Sequence, residues 1–279
     1  MNELFELEWA GGAAEHHFRK ARPGIEELPW GTFDTASYPP EVLNAGRATW
    51  TDAAYTEYRA VAAFAEVIRA LAEARAPLDI LGMASNFVAD EVVHVELASR
   101  VAMELGGAVQ KPVDFDALVV KPDPRLSAFQ RANEIVLRIS CIAEAFSGRM
   151  AVNAMRSTTH PLTRAVYEHI VADESLHYRL GGVYFDWASE LMDDEERARL
   201  SRVAVATLKG YGPRWNGTAS DATRAIRRTA TLEQVHEIGW VETRFYKDQV
   251  RAAVRDAIVA PLASYGIEVP SREVDELLA

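Results

Sequence analysis

The stretch Ala172-Asp173-Glu174-Ser175-Leu176-His177 repeats the chemistry of an earlier one, Ala89-Asp90-Glu91-Val92-Val93-His94. Both read Ala-Asp-Glu-x-x-His. On an α-helix, positions three apart share a face, so each stretch aims one carboxylate and one imidazole at a common point. Two such points can hold a pair of metal ions.

Each stretch belongs to a longer helical seam, and each seam has a neighbour carrying a single glutamate. From Asp52, which has the form of an N-cap, to Ala74, residues Glu57, Val61, Phe64, Ile68 and Leu71 alternate steps of four and three, the buried seam of a bundle helix. Glu66 instead shares a face with Arg59, Arg69 and Glu73, the wet side. A lone carboxylate in an apolar seam is costly unless a cation meets it, which singles out Glu57. A second helix runs from Pro77 to Leu105, stopped by Gly106-Gly107, with Phe87, Glu91, His94, Ala98 and Val101 inward. Residues 108–123 lack a helical period and form a long crossover. A third helix, Asp123-Pro124 to Ser157, turns Leu137, Cys141, Glu144, Gly148 and Ala151 inward. A fourth, His160-Pro161 to Met192, turns in Tyr167, Ile170, Glu174, His177, Gly181 and Tyr184.

The fold class that follows is all-α, a four-helix bundle over residues 52–192 within a single domain, 1–279. Residues 1–50, with Pro23, Pro29, Pro39 and Pro40, form an N-terminal arm wrapping the domain, in which His16 and His17 face solvent. Residues 193–279 add C-terminal helices: one over 194–210, a basic loop over 213–230, and a final helix from the capping box Thr231-Leu232-Glu233-Gln234 to Ala263. The acidic tail after Pro270 is expected to be loosely held.

At 279 residues, 49% hydrophobic and 25% charged, the chain suits a soluble globular protein. No apolar run reaches the roughly 18 residues of a membrane span, and residues 1–20 lack the apolar block of a secretion signal, so the expected place is the cytoplasm. One cysteine, Cys141, permits neither an internal disulfide nor a Cys-x-x-Cys metal knuckle. A net charge of −11 disfavours nucleic acid as a partner. Against that balance, residues 197–228 hold Arg197, Arg199, Arg202, Lys209, Arg214, Arg224, Arg227 and Arg228 beside a lone Asp221: either a solvated face or a dock for an acidic carrier protein or ferredoxin.

The four helices make two antiparallel pairs. Glu57 precedes Glu91 by 34 residues and Glu144 precedes Glu174 by 30, so a hairpin with its turn midway brings both members of a pair to one height. Glu57, Glu91, His94, Glu144, Glu174 and His177 then converge as metal ligands, with four negative charges that two divalent ions neutralise. One imidazole per ion among carboxylates suits iron or manganese better than zinc. Asp90 and Asp173 stand where second partners to the imidazole N–H groups belong, across the bundle. Glu233-Gln234-Val235-His236 is a decoy: Glu233 sits in a first helical turn, where a carboxylate favours the dipole, and no Asp precedes it.

This set, Glu57, Glu91-Val92-Val93-His94, Glu144 and Glu174-Ser175-Leu176-His177, resembles the ferritin-like diiron-carboxylate superfamily over residues 52–192. The resemblance implies a non-haem diiron or manganese–iron centre that reacts with O2 in its reduced state. Departures narrow it. One cysteine cannot supply the extra iron site of rubrerythrins, and the radical tyrosine position of ribonucleotide reductase small subunits is Ala98. The additional histidine of arylamine N-oxygenases falls at Ile170, with His169 about 140° away around the helix from Glu174.

The function expected is an O2-dependent diiron oxygenase, hydroxylating or N-oxygenating a small organic substrate, free or carrier-tethered, with electrons from an external reductase or ferredoxin. Gly148 and Gly181, each costing about 1 kcal/mol against alanine inside a helix, either open space for substrate or let helices pack closely. Ser147 either relays protons or bonds to the preceding turn. Cys141 is a buried wall residue. The rivals are an iron-handling ferroxidase and a bundle whose metals are structural. A homodimer through the long helices is expected.

Overall fold

The computed structural model describes residues 3–215 and 230–279, the side chains of 213–215 excepted. It is mostly helical. Helix α1 spans Gly12–Ala21, α2 Pro40–Glu73, α3 Leu78–Ser85 and α4 Phe87–Glu104. Next, α5 (Ala128–Val136), a π-helical stretch (Leu137–Glu144) and α6 (Ala145–Ser157) form one continuous rod. Helix α7 is Pro161–Ala188, α8 Asp194–Trp215 and α9 Leu232–Ile238. A second composite rod joins α10 (Lys247–Ala252), π-helical Ala253–Val259 and α11 (Ala260–Ser264), and α12 is Ser271–Leu278. The strands β1 (Glu3–Leu4) and β2 (Pro112–Val113) pair antiparallel, fastening the start of the arm to the crossover. Among the described residues no helix is long and apolar enough to cross a membrane.

The expected start of the first bundle helix is corrected. Asp52 is not its N-cap; Pro40 occupies the first helical turn, where a missing N–H costs nothing, and α2 runs 34 residues, about 50 Å at 1.5 Å per residue. Residues 40–50 include Asn44, Gly46 and Thr49, weak helix formers, and are helical because their inner face is buried: Val42, Ala45, Ala48 and Trp50 are all within the core. The arm therefore ends at Pro39. It clasps α4 through Arg22, almost fully buried, whose Nε lies 2.6 Å from Glu96 Oε2, and through Trp30, whose ring lies under the Arg100 guanidinium at 3.9 Å. His16 and His17 are exposed.

Further boundaries shift for local reasons. The second helix is broken at Asn86 into α3 and α4, where Gly82 and Ser85, whose hydroxyl donates back to the Gly82 carbonyl, loosen the preceding turn. The third begins at Ala128 because Ser127 and Gln130 complete a capping box, while Asp123 is occupied by Arg125. The capping box at Thr231 forms as expected, but Gly239 at φ 72° ends α9 after seven residues, so no single helix reaches Ala263. The tail is corrected too: α12 is a helix that packs on α8 with Val274 buried. The expected basic loop 213–230 lies largely outside the described residues.

The core falls into two apolar blocks. One gathers Phe64, Leu71 and Phe87 with Leu137, Leu180 and Tyr184; the other gathers Trp50, Ala54 and Leu97 with Ala154, Val166 and Trp240. Along α2, α4 and α7 the crossing between blocks falls at Glu57, at Glu91 and His94, and at Glu174 and His177. A polar layer is thus sandwiched across the bundle.

Gly46 shows how closely α2 is held. A Cβ there would lie 2.7 Å from Ile238 Cγ2 and 3.1 Å from Leu105 Cδ1. Gly46→Ala is therefore expected to destabilise by about 1–2 kcal/mol in urea unfolding, overpacking outweighing the gain of about 1 kcal/mol in helix propensity. Combining it with Ile238→Ala should cost less than the sum of the two single changes; strict additivity would mean that the contact is not what excludes a side chain.

Candidate metal centre

Within the polar layer the six expected ligands come together. Glu57, Glu91, His94 and Glu174 form one group, and Glu91, Glu144, Glu174 and His177 another; in each, one candidate ligand atom per residue lies within 4.8 Å of all the rest. Glu91 and Glu174 belong to both. Helices α4 and α7 supply these shared carboxylates together with the histidines, because Glu and His at i and i+3 face the same way. Helix α2 and the end of the π-helical stretch supply Glu57 and Glu144.

The imidazoles are fixed from behind. His94 Nε2 donates to Asp173 Oδ2, and His177 Nε2 to Asp90 Oδ2, each at 3.2 Å and each across the bundle. An ionised carboxylate only accepts, so Nε2 carries the hydrogen and Nδ1 of the neutral ring is the free lone pair. Both Nδ1 atoms point at the shared carboxylates: His94 Nδ1 is 3.6 Å from Glu91 Oε2 and His177 Nδ1 is 3.0 Å from Glu91 Oε1. Glu91 thus turns one oxygen toward each histidine. Phe87 and Phe64 wall His177 with ring centroids 4.3 and 5.2 Å away.

Those inward atoms have no hydrogen-bond partner. Both oxygens of Glu91, Glu174 Oε2 and both Nδ1 atoms are buried and unsatisfied, the 3.0 Å approach at His177 lacking the alignment of a hydrogen bond. Buried polar groups in proteins are almost always paired, and leaving charged ones unpaired is strongly destabilising. Five orphaned donor atoms converging on one layer fit a bound cation pair, which every one of them can ligate.

By themselves the protein groups share protons. Burial pushes Glu57 and Glu174 well above the usual carboxylate range, helped by the neighbouring carboxylates, and brings Glu144 up to about 7. Burial works against charge on the histidines as well, yet Asp173 and Glu91 raise His94 to about 10, and Asp90 and Glu91 raise His177 to about 9. Glu91 resists burial because both imidazoles hold it ionised, at about 2.

Other expected residues fall elsewhere. Ser147 is exposed and its hydroxyl donates to the Glu144 carbonyl at 3.4 Å, the bond to the preceding turn that was the alternative to a relay. Gly148 does leave room: a Cβ there would come no closer than 3.7 Å to the Glu174 side chain. Gly181 does not, since its Cβ would lie 2.5 Å from Cys141 Sγ and 3.3 Å from the Cys141 backbone. The decoy stays apart, His236 Nε2 sharing a hydrogen bond with the Tyr246 hydroxyl at 3.2 Å. Arg197 and Arg199 are engaged within the chain: Arg197 bonds the carbonyls of Tyr265 and Ser189, and Arg199 pairs with Glu134 and Glu196. Arg224, Arg227 and Arg228 lie outside the described residues. The aromatic wall at His177 was visible only as seam positions, and the π-helical stretch left no periodic signal.

Metal must displace these protons. Apparent affinity for ferrous ion is therefore expected to rise as pH goes from 6 to 8, with proton release that calorimetry in buffers of different ionisation enthalpy would read; pH-independent uptake would contradict the protonated cluster. Asp173→Asn should weaken metal binding about 10- to 100-fold while leaving the fold intact by circular dichroism. Comparison of the chain with known protein families, with curated proteins and with solved structures found no match, so its chemistry rests on these groups alone.

Proposed function

We propose that the protein is a non-haem diiron oxygenase of ferritin-like architecture, oxidising a small organic substrate with O2. The single observation that carries this is the pair of overlapping ligand sets, sharing Glu91 and Glu174 and each completed by one histidine whose Nδ1 is aimed inward by an aspartate. Four carboxylates balance two divalent ions, and the oxygen-rich set suits iron, or manganese with iron. Glu57, Glu91, His94 and Glu174 would hold one ion and Glu91, Glu144, Glu174 and His177 the other. When bound, the ions supply the redox chemistry that activates O2.

The chain's own residues do the rest. Asp90 and Asp173 keep each Nε2 protonated and so present Nδ1. Glu91, His94 and His177 are completely buried, which shuts that side to water. Glu57 keeps part of its surface accessible, and room beside Glu174 at Gly148 leaves an approach from that side. Inserting one oxygen atom into the substrate leaves the other to depart as water, which takes two protons and two electrons; an external reductase or ferredoxin supplies the electrons. A cytoplasmic homodimer is the assembly proposed.

Glu144→Ala is expected to take up at most one iron per chain where the native protein takes two, read by metal analysis after anaerobic loading. An intact dinuclear centre in that variant would sink the assignment. Exposing the loaded native protein to O2 should give consumption that stops after one oxidation of the bound iron until reductant is added. Repeated uptake and oxidation of added ferrous ion would instead make iron the substrate.

A further inference from the structure

Among the described residues, two π-helical stretches line one cavity. A cavity of about 260 Å³ is lined by Cys141 from the first, by Ala257 and Ile258 from the second, and by Gly181 and Gly182 of α7 between them. Such stretches are less stable than regular α-helix and recur at functional sites. The glycine pair has two different jobs. Gly181 admits Cys141, whose Sγ would lie 2.5 Å from a Cβ placed there, whereas a Cβ on Gly182 would come no nearer to anything than Tyr265 Oη at 3.8 Å, so the bare Cα of Gly182 preserves open space.

The walls define what fits. Leu262, Ile258 and Ala257 are buried and apolar, and the Tyr265 hydroxyl is already engaged, its hydrogen directed at Asp186 Oδ1 at 2.9 Å, a carboxylate that also lines the cavity, with the Gly182 carbonyl 3.3 Å away. Burial pushes the Cys141 thiol up to about 12, so it is a wall and not a nucleophile. At the mouth stands Arg179, exposed and, among the described residues, without an ion-pair partner. The inner wall, Cys141 and Gly181, lies three residues before Glu144 and four after His177, one helical turn from two of the proposed ligands.

We propose that this cavity binds a small apolar molecule bearing one carboxylate, its chain against Ile258, Leu262 and Gly182 and its charge on Arg179. Its role as the seat of the organic substrate rests on the oxygenase reading; the binding itself does not.

Octanoate titrated into the full chain as purified, followed by calorimetry, tests it. Saturable binding with one molecule per chain is expected. It should weaken about three- to fivefold in Arg179→Gln, the size of a solvent-exposed ion pair, and be lost in Gly182→Leu. Leucine also favours the helix, so the urea midpoint of that variant should not fall below the native one, which separates a filled cavity from a misfolded chain. Absence of saturable binding, or binding that survives Gly182→Leu unchanged, overturns the site. Octanol binding as tightly as octanoate overturns the role of Arg179. Metal content is measured on the same samples: a chain that binds octanoate but never holds two metal ions keeps this site and loses the oxygenase reading.

Discussion

Everything in this bundle answers to one constraint: four carboxylates and two imidazoles, all but Glu57 buried, share one layer between two apolar blocks. Hydrophobic burial on either side is what pulls the helices together, and that same burial strips water from Glu91, His94 and His177. The paired Asp-Glu-x-x-His sequences are the economical response. Each helix contributes a carboxylate and an imidazole to its own side of the layer, and an aspartate that reaches across to steady the imidazole of the other helix. The two halves are therefore interdependent, since neither histidine is oriented without the opposite motif.

Irregular backbone collects at the layer. Helix α4 starts afresh at Phe87, directly after the break at Asn86 and four residues before Glu91, and the first π-helical stretch terminates on Glu144 itself. A regular helix fixes the direction of each side chain by its position; an inserted residue re-aims those that follow. The cost in helix hydrogen bonding is offset by tertiary packing, in which Cys141 occupies the space a side chain on Gly181 would need. The same distortion that delivers Glu144 to the layer thus forms the inner wall of the cavity behind it.

What could be read in advance follows the same division. That six glutamate and histidine side chains and two aspartates gather in one layer was legible because a polar residue on an apolar seam has few explanations, and the repetition removed most of those. The all-α class and the crossover at residues 108–123 were legible from periodicity. Boundaries were not, where they depend on distant partners: residues 40–50 are helical through burial against the C-terminal segment, and the tail after Pro270 through packing on α8. Asp52 and Asp123 have the residue type of a cap, but tertiary contacts and the Ser127 capping box placed the starts elsewhere. The π-helical stretches add one residue to a turn without changing composition, so a wheel drawn at 3.6 residues per turn passes over them. Of the two readings open at Gly181, the close approach of Cys141 selects helix packing, and of the two at Ser147 the hydroxyl bonds to the preceding turn.

Stability and function pull in opposite directions here. An apolar layer of the same volume would pack the two blocks into one continuous core and remove the cost of burying five unsatisfied polar atoms. The chain keeps the polar layer, and it offsets the cost partly through protons shared among Glu57, Glu144 and Glu174 and through the aspartates behind each histidine. A cation pair bound only by the folded chain would turn that cost into stabilisation by mass action. The cluster is then an expense for the protein alone and a gain for the protein with metal, which is the energetic signature of a site retained for what it binds rather than for what it holds together.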